Sequence, residues 1–443
     1  VLTRAVEFFR FQVSNFSSKL PPMLDIRLLR EDPNSIKKRL ATRSSQFSDL
    51  VDQILAIDAR RRDSETRVQH LRAERNRLSK EIGGIKRNGG DSSELEVQVK
   101  TFANEMEELG RLAAELDAEQ RHLLLRVPNL PAPGLPEGSD AEANVAIRHW
   151  GEPAPMNKED HVTIGARLGL FDMERAAKIS GSGYVLFTGA GARLERALIN
   201  FLLDLQTHSH GYTEIAPPVL VRRDCMEGTG QLPKFEDDMY GFDDGVAFLT
   251  PTAEVSLTNI HRDEILSESQ LPVKLTACTP CFRREAGSAG RETRGMIRMH
   301  QFDKVELVKI TTPEQAAEEL ESLTADAEKV LQLLKLPYRV LELCTGDIGF
   351  SAARTYDLEV WAPGQGAYLE VSSCSHFGDY QARRMNLRYK NSDGKNQFCH
   401  TLNGSGTALP RLYVALLETH TLPGGSLILP EPLQPYFGAA QIG

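Results

Sequence analysis

The sequence predicts an α+β protein with a mainly antiparallel sheet, preceded by an antiparallel two-helix coiled-coil arm. Three observations carry this expectation. From Leu50 to Leu123 the apolar residues recur in alternating steps of four and three, interrupted by "RNGGDSS". Farther on, strand-like and helix-like runs alternate irregularly with no internal repeat, the pattern of an α+β domain. "TACTPCFRREA" and "RGMIRMHQFDKVELV" read as paired strands joined by "GSAGRET". At 443 residues the chain is too long for one ordinary core, so arm and sheet are expected to be separate units.

Residues 1–22 precede Met23 and carry Arg4, Arg10 and Lys19 against the single acid Glu7. An arginine-containing, acid-poor start fits an organelle transit peptide. It fits an upstream extension equally well, and we expect the latter together with a cytoplasmic location. Hydrophobic residues make up 41% and charged residues 26%, with no apolar run near the ~18 residues of a membrane helix, so a membrane-spanning reading is dropped. A net charge of -9 argues against a protein coated in nucleic acid but leaves room for a local basic surface. Cys225, Cys278, Cys281, Cys344, Cys374 and Cys399 include one close pair, which reads as reduced thiols. Cys278 and Cys281 have zinc-ligand spacing, but no second pair completes four ligands, so no structural zinc is expected.

The arm follows from its seam. Leu50, Ile54, Ile57, polar Arg61 and Ser64, then Val68, Leu71, Arg75, Leu78, Ile82 and Ile85 keep a heptad rhythm. It resumes at Leu95 and runs through Phe102, Leu109 and Leu116 to Leu123. Two matched helices with a short turn must lie antiparallel, giving an arm over about 47–126, each helix roughly 50 Å long. The prolines of "VPNLPAPGLPEG" end it. We therefore expect an N-terminal domain over 23–135 and a catalytic domain over 136–443. The first arm helix is basic and the second acidic. Either the two pair along the hairpin, or Arg60, Arg67, Arg72, Arg75 and Lys80 form a ridge for a phosphate backbone.

Beyond the arm, "ARLERALINFLLDLQTHSH" reads as an amphipathic helix. "GYTEIAPPVLV" belongs at a sheet edge or bend because of Pro217 and Pro218. "PEQAAEELESLTADAEKVLQLLKL" and "LPRLYVALLETH" read as helices, and "YDLEVWAPGQGAYLEVSSCS" as two strands around a Gly turn. The glycines of "SGSGYVLFTGAGARLE" match neither the phosphate-loop nor the dinucleotide pattern, so this stretch reads as a loop leading into a helix.

The strand pair carries the chemistry. Arg298, His300, Phe302, Lys304 and Glu306 recur at period two and are expected on one face, and Arg283 and Glu285 share a face by the same alternation. Arginines suit a polyphosphate, since guanidinium stays ionised and donates bidentate hydrogen bonds. Glu285 and Glu306 call instead for an amine, an adenine amino group or a phosphate-bound metal ion. Cross-strand ion pairing is the bland alternative. A ribbon in a nucleic-acid groove is poor electrostatics for so many acids.

With these motifs the chain resembles the bacterial-type seryl-tRNA synthetases, which are class II aminoacyl-tRNA synthetases. The resemblance runs from about Met23 to Phe437. It includes the arm, "LTPTAEVSL", "CFRREAGSAGRETRGMIRMHQFDKVE", "LEVSSCS" and "LNGSGTALPRLYVALLE", while "HGYTEIAPPVLV" resembles the proline-bearing dimer-interface motif. It implies a class II antiparallel sheet and a homodimer that activates L-serine with ATP. The seryl group then passes to the 3' end of a long-variable-arm tRNA(Ser), and also to tRNA(Sec). It implies that Arg283, Arg298 and Arg411 are catalytic. Arg283 would bridge the α-phosphate and the serine carboxylate, Glu285 would meet the adenine amino group, and Phe302 would stack on the base. Arg298 and Arg411 would hold the triphosphate tail, and Glu370 and Ser373 would organise Mg²⁺. Thr252, Glu254, Arg283, Glu306 and Ser405 would bind serine, and the arm would grip the tRNA. Arg411 has independent weight, because a cation in a helix's first turn opposes the dipole unless an anion sits there. One alternative is a silent paralogue serving as an RNA-binding or regulatory scaffold, but such a chain would lose the motif arginines, and Arg283, Arg298 and Arg411 are all present. The other is a ligase acting on a carrier protein, a group that usually lacks the long arm.

Overall fold

The computed structural model describes residues 24–156, 159–286 and 294–443. The extension over 1–22 and Arg291 lie outside them.

The described chain opens with two capped helices. Asp25 accepts from Arg27 N ahead of Ile26–Glu31, and Asp32 accepts from Ser35 N ahead of Pro33–Ala41, each satisfying an orphan helix donor. Their Leu29, Ile36 and Leu40 pack against Val51, Ile54, Leu124 and Val127 from the base of the arm.

The arm consists of the helices Gln46–Arg87, 42 residues, and Ser93–Leu124, 32 residues. At 1.5 Å per residue they are about 63 Å and 48 Å long, so the first exceeds the expected length. The heptad reading holds: Ile54, Ile57, Ser64, Leu71 and Leu78 are buried, as are Leu116 and Gln120 opposite. Buried Asp58 sits at the base and receives two 2.7 Å bonds from Arg30 and a 3.1 Å bond from Gln120 Nε2. Burial alone would raise this carboxyl; the bonds from Arg30 and Gln120 outweigh it and hold it below its ordinary value. Arg67 to Glu105 at 3.0 Å and Lys86 to Glu96 at 2.7 Å cross between the helices. Other charged pairs along the shaft, such as Arg77 with Glu74 and Glu81, stay within one helix. Interhelical pairing therefore accounts for only part of the charge asymmetry.

The remaining chain builds an eight-stranded sheet: β1 (Val145–Trp150), β2 (Thr213–Glu214), β3 (Val273–Phe282), β4 (Gln301–Thr311), β5 (Tyr338–Glu342), β6 (Arg354–Ala362), β7 (Ala367–His376) and β8 (His400–Ala408). The spatial order is β1-β5-β6-β7-β8-β4-β3-β2. Every neighbouring pair is antiparallel except β2 with β3. As expected of the Pro217–Pro218 segment, β2 is a two-residue edge strand. The helices Ala190–Asp204, Ala316–Leu333 and Leu409–His420 share one large core with the sheet. Alternation along β4 sends Val305 and Leu307 into that core and Val308 to the other face, beside Leu257 of the short helix Ala253–Thr258.

One expectation fails in detail. β3 ends at Phe282 and β4 begins at Gln301, so Arg283, Glu285, Arg298 and His300 lie outside the strands. The reason is local backbone geometry. Arg283 N still donates to His300 O at 2.9 Å, but His300 N turns away to Gly183 O, and Glu285 adopts a left-handed φ of 50°. Strand alternation therefore does not set the direction of these four side chains.

The N-terminal helices and the sheet are joined by backbone-directed side chains. Arg43 donates to the carbonyls of Asn129, Ile348, Gly349 and Ala352 at 2.7–3.1 Å. Burial lowers it to about 10. Asn129 Nδ2 donates to Ser351 O and Phe377 O. Among the described residues no helix is long and apolar enough to cross a membrane.

Candidate active site

A cavity of about 810 Å³ opens against β4, β7 and β8, and all eleven residues expected to handle ATP and serine line it. Two β-bulges make this possible. Between β6 and β7 the register steps from Leu358↔Ser372 to Glu359↔Glu370, leaving Val371 extra. Strict alternation would put Glu370 and Ser373 on opposite faces; the extra residue turns both into the cavity. A second slip, between Ser405 and Thr407, lies where β8 crosses β4, and Ser405 is paired directly with Glu306.

The arginines are held by backbone carbonyls and carboxylates. Arg283 Nε reaches Pro251 O at 3.3 Å, and its guanidinium lies 5.3 Å from the centre of the Phe302 ring, a cation–π arrangement. Arg298 donates to Glu285 at 2.9 Å. Arg411, in the first turn of Leu409–His420, donates through Nη1 to Glu370 O at 2.8 Å and through Nε to Ile297 O at 3.2 Å. Its guanidinium is thus steered off the helix axis and into the cavity.

On the opposite side the acids are buried. Thr252 caps the helix Ala253–Thr258 through Glu254 N and donates to Glu306 Oε2 at 2.6 Å. Lys304 pairs with the same oxygen. Glu306 Oε1 is buried with no hydrogen-bond partner among the described residues, which is costly unless a ligand supplies a donor. Burial, and then repulsion from Glu306, pushes Glu254 up to about 7. A 2.7 Å bond from Gln381 Nε2 holds its orientation.

Near Glu370 and Ser373 the donors are hard oxygens. Asp357, cross-strand from Ser373, has a buried Oδ1 with no hydrogen-bond partner among the described residues. Burial, then the Glu370 charge, raises its carboxyl well above the ordinary value. Such a donor set fits Mg²⁺, which keeps its waters and is bound through carboxylates together with substrate phosphates. Among the described residues no group of three or more His, Cys, Asp or Glu is placed to hold a metal ion alone. Cys278 is half-buried and Cys281 fully buried on β3, and burial raises both thiols.

Sequence reasoning missed several participants. Asn403 lines the cavity two residues before Ser405, and Asp357 and Gln381 support it from behind. Period two along "LNGSG" points to Asn403; no sequence signal marks Gln381, which acts across 127 residues. Two further arginines of the "CFRREAGSAGRETRG" stretch are engaged elsewhere: Arg294 pairs with Asp160 at 3.0 Å, and Arg284 is tied through its backbone N–H to Asp238 O. On the arm, Arg60, Arg72 and Lys80 are exposed and make no ion pair among the described residues, whereas Arg75 is half-buried in the seam and Arg67 is taken by Glu105.

An antiparallel sheet with three arginines and buried acids on one face is the core of a class II aminoacyl-tRNA synthetase. Residues 240–420 match the tRNA synthetase class II core domain family (G, H, P, S and T), and residues 23–131 match the seryl-tRNA synthetase N-terminal domain. A protein named "Serine--tRNA ligase" from Akkermansia muciniphila is 61% identical, with 94% of this chain and 98% of that protein aligned. One of the same name from Pelobacter propionicus is 51% identical, over 95% and 99%. A solved seryl-tRNA synthetase from Pyrococcus horikoshii, complexed with ATP, superposes with a TM-score of 0.89 at 37% identity, covering 95% of this chain and 99% of that one. The chain belongs to the seryl-tRNA synthetase family.

Proposed function

We propose that the chain is an ATP-dependent ligase that charges tRNA(Ser) with L-serine, and tRNA(Sec) as a second substrate. The observation carrying this reading is Glu306: one oxygen is engaged by Thr252 and Lys304, and the other has no partner among the described residues, in a cavity also lined by three arginines. An ammonium is the natural donor for that oxygen, and a polyphosphate the natural ligand for the arginines.

Serine would present its ammonium to Glu306 and Glu254, its carboxylate to Arg283 and its hydroxyl to the Thr252 and Ser405 side. Alanine would leave the hydroxyl's partners unpaired, and threonine would be rejected by lack of space. The carboxylate attacks the α-phosphorus in line, pyrophosphate leaves, and seryl-adenylate forms. A terminal ribose hydroxyl of tRNA then attacks the acyl carbonyl and releases AMP. Both steps need orientation and neutralised charge, which Arg283, Arg298 and Arg411 supply. Glu370 and Ser373 would hold the Mg²⁺ that accompanies ATP, which adds positive charge at the phosphates. Adenine would stack on Phe302, with Glu285 turning from Arg298 to its amino group.

The homodimer would form through the Pro217–Pro218 segment, a reading supported by exposed Leu220 beside it. Six free cysteines fit a cytoplasmic location. The test is charging of one long-variable-arm tRNA with serine, threonine and alanine. Serine alone should be transferred efficiently; equal transfer of alanine would overturn the assignment.

A further inference from the structure

The segment carrying Arg298 into the cavity, residues 294–300, has no helix or strand of its own. Its geometry nevertheless matters, because the Ile297 carbonyl anchors Arg411 and Met296 lines the cavity. A buried hydrogen-bond chain holds it. Glu418, fully buried near the end of Leu409–His420, accepts from the backbone N–H groups of His161, Gly364 and Gln365 and from Gln365 Nε2, at 2.6–3.2 Å. His161 Nδ1 lies 3.0 Å from Glu418 Oε1, and its Nε2 lies 3.2 Å from Met296 N. A backbone N–H can only donate, so Nε2 accepts and the ring proton sits on Nδ1, aimed at Glu418. Two further contacts lock the register. Arg294 pairs with Asp160, and Gly295, at φ +72°, packs so closely that a Cβ there would fall 1.9 Å from His161 Nε2.

We propose that His161, oriented by Glu418, is a positioning residue for the ATP subsite. By fixing Met296 it sets the Ile297 carbonyl that aims Arg411, and it sets where Arg298 enters. Neither His161 nor Glu418 lines the cavity, so the effect passes through the backbone of 295–298. The ATP part of this inference rests on the reading of the cavity given above; the anchoring part does not.

Two substitutions separate the two ring nitrogens. His161→Asn keeps a donor toward Glu418 but is too short to reach Met296 N, whereas His161→Gln places an acceptor near Met296 and gives up the Glu418 contact. In serine-dependent ATP–pyrophosphate exchange, His161→Asn should raise the KM for ATP about five- to tenfold, the loss of one buried hydrogen bond. The KM for serine should stay within about twofold, and His161→Gln should return the ATP value to within about twofold of the unsubstituted chain. Hydrogen exchange at the Met296 amide should speed at least about tenfold in His161→Asn and recover in His161→Gln. Should His161→Asn not fold, Glu418→Gln provides the same readout through the orienting carboxylate. An unchanged ATP KM, or equal shifts for ATP and serine, overturns the proposal. An unsubstituted chain that lacks exchange activity while Met296 protection still depends on His161 contradicts the ATP reading and leaves the anchoring intact.

Discussion

Charges on the arm and charges in the cavity are kept in opposite states. Along the arm, Arg60, Arg72 and Lys80 stand exposed and unpaired among the described residues, and the crossing pairs Arg67–Glu105 and Lys86–Glu96 are solvent-exposed. In the cavity, Arg283, Arg298 and Arg411 are held by carbonyls and acids, and Glu254 and Glu306 are buried. Exposed charges act through a screened, additive field that tracks a phosphate backbone without demanding one geometry. Buried charges act at fixed distances in a low dielectric, where losing one contact is expensive. Substrate chemistry and tRNA grip should therefore respond to mutation on very different scales.

The largest effect is expected in the cavity. Arg283→Ala should lower serine-dependent pyrophosphate exchange by at least ~10³-fold, comparable to losing a charge-stabilising donor in a transition state. A nearly unchanged rate would break the contrast at its stronger end.

A pH effect comes next. The Glu254 carboxyl is raised to about 7, first by burial and then by Glu306. Its protonated form is therefore populated below that value, and an ammonium ligand must displace the proton. The KM for serine should fall as pH rises through 7, changing by up to about tenfold per unit on the acid side. Glu254→Gln should flatten that dependence. In the free protein the sign reverses. With the folded pKa above the unfolded one, Glu254 costs stability as pH rises from about 4.5 to 7, so Glu254→Gln should melt higher at pH 8 than the unsubstituted chain.

The smallest effects belong to the arm. Arg72→Glu or Lys80→Glu should weaken tRNA charging by about three- to tenfold and shallow its salt dependence, while leaving pyrophosphate exchange unchanged. A salt-independent loss would point to packing instead.

The same contrast governs what the sequence disclosed. The arm was legible almost residue by residue, since a heptad seam is a local repeat and each helix carries its own hydrogen bonds. The cavity residues were legible only through the family motifs. Alternation put Arg298 and His300 on a strand that starts only at Gln301; Arg298 still reaches the cavity through the irregular segment before it, whereas His300 does not line it. Alternation would also have separated Glu370 from Ser373, which a bulge reunites. Bulges, the left-handed Glu285 and the reach of Gln381 to Glu254 are set by tertiary contacts, which neighbouring residues in sequence do not encode.

The two regions meet where Arg43 and Asn129 bind the cavity wall at 348–352 and Phe377. Any excision of the arm must keep that junction, the Asp58–Gln120 bond and the core around Val51, Ile54 and Leu124. Replacing residues 65–113 by a short glycine linker satisfies all three. Serine-dependent pyrophosphate exchange and tRNA charging measured on this one protein test the division of labour most directly. We expect exchange within about threefold of the intact chain, and charging reduced by at least ~10²-fold through loss of the backbone contacts. Equal loss of both activities, or charging that survives the excision, would contradict it.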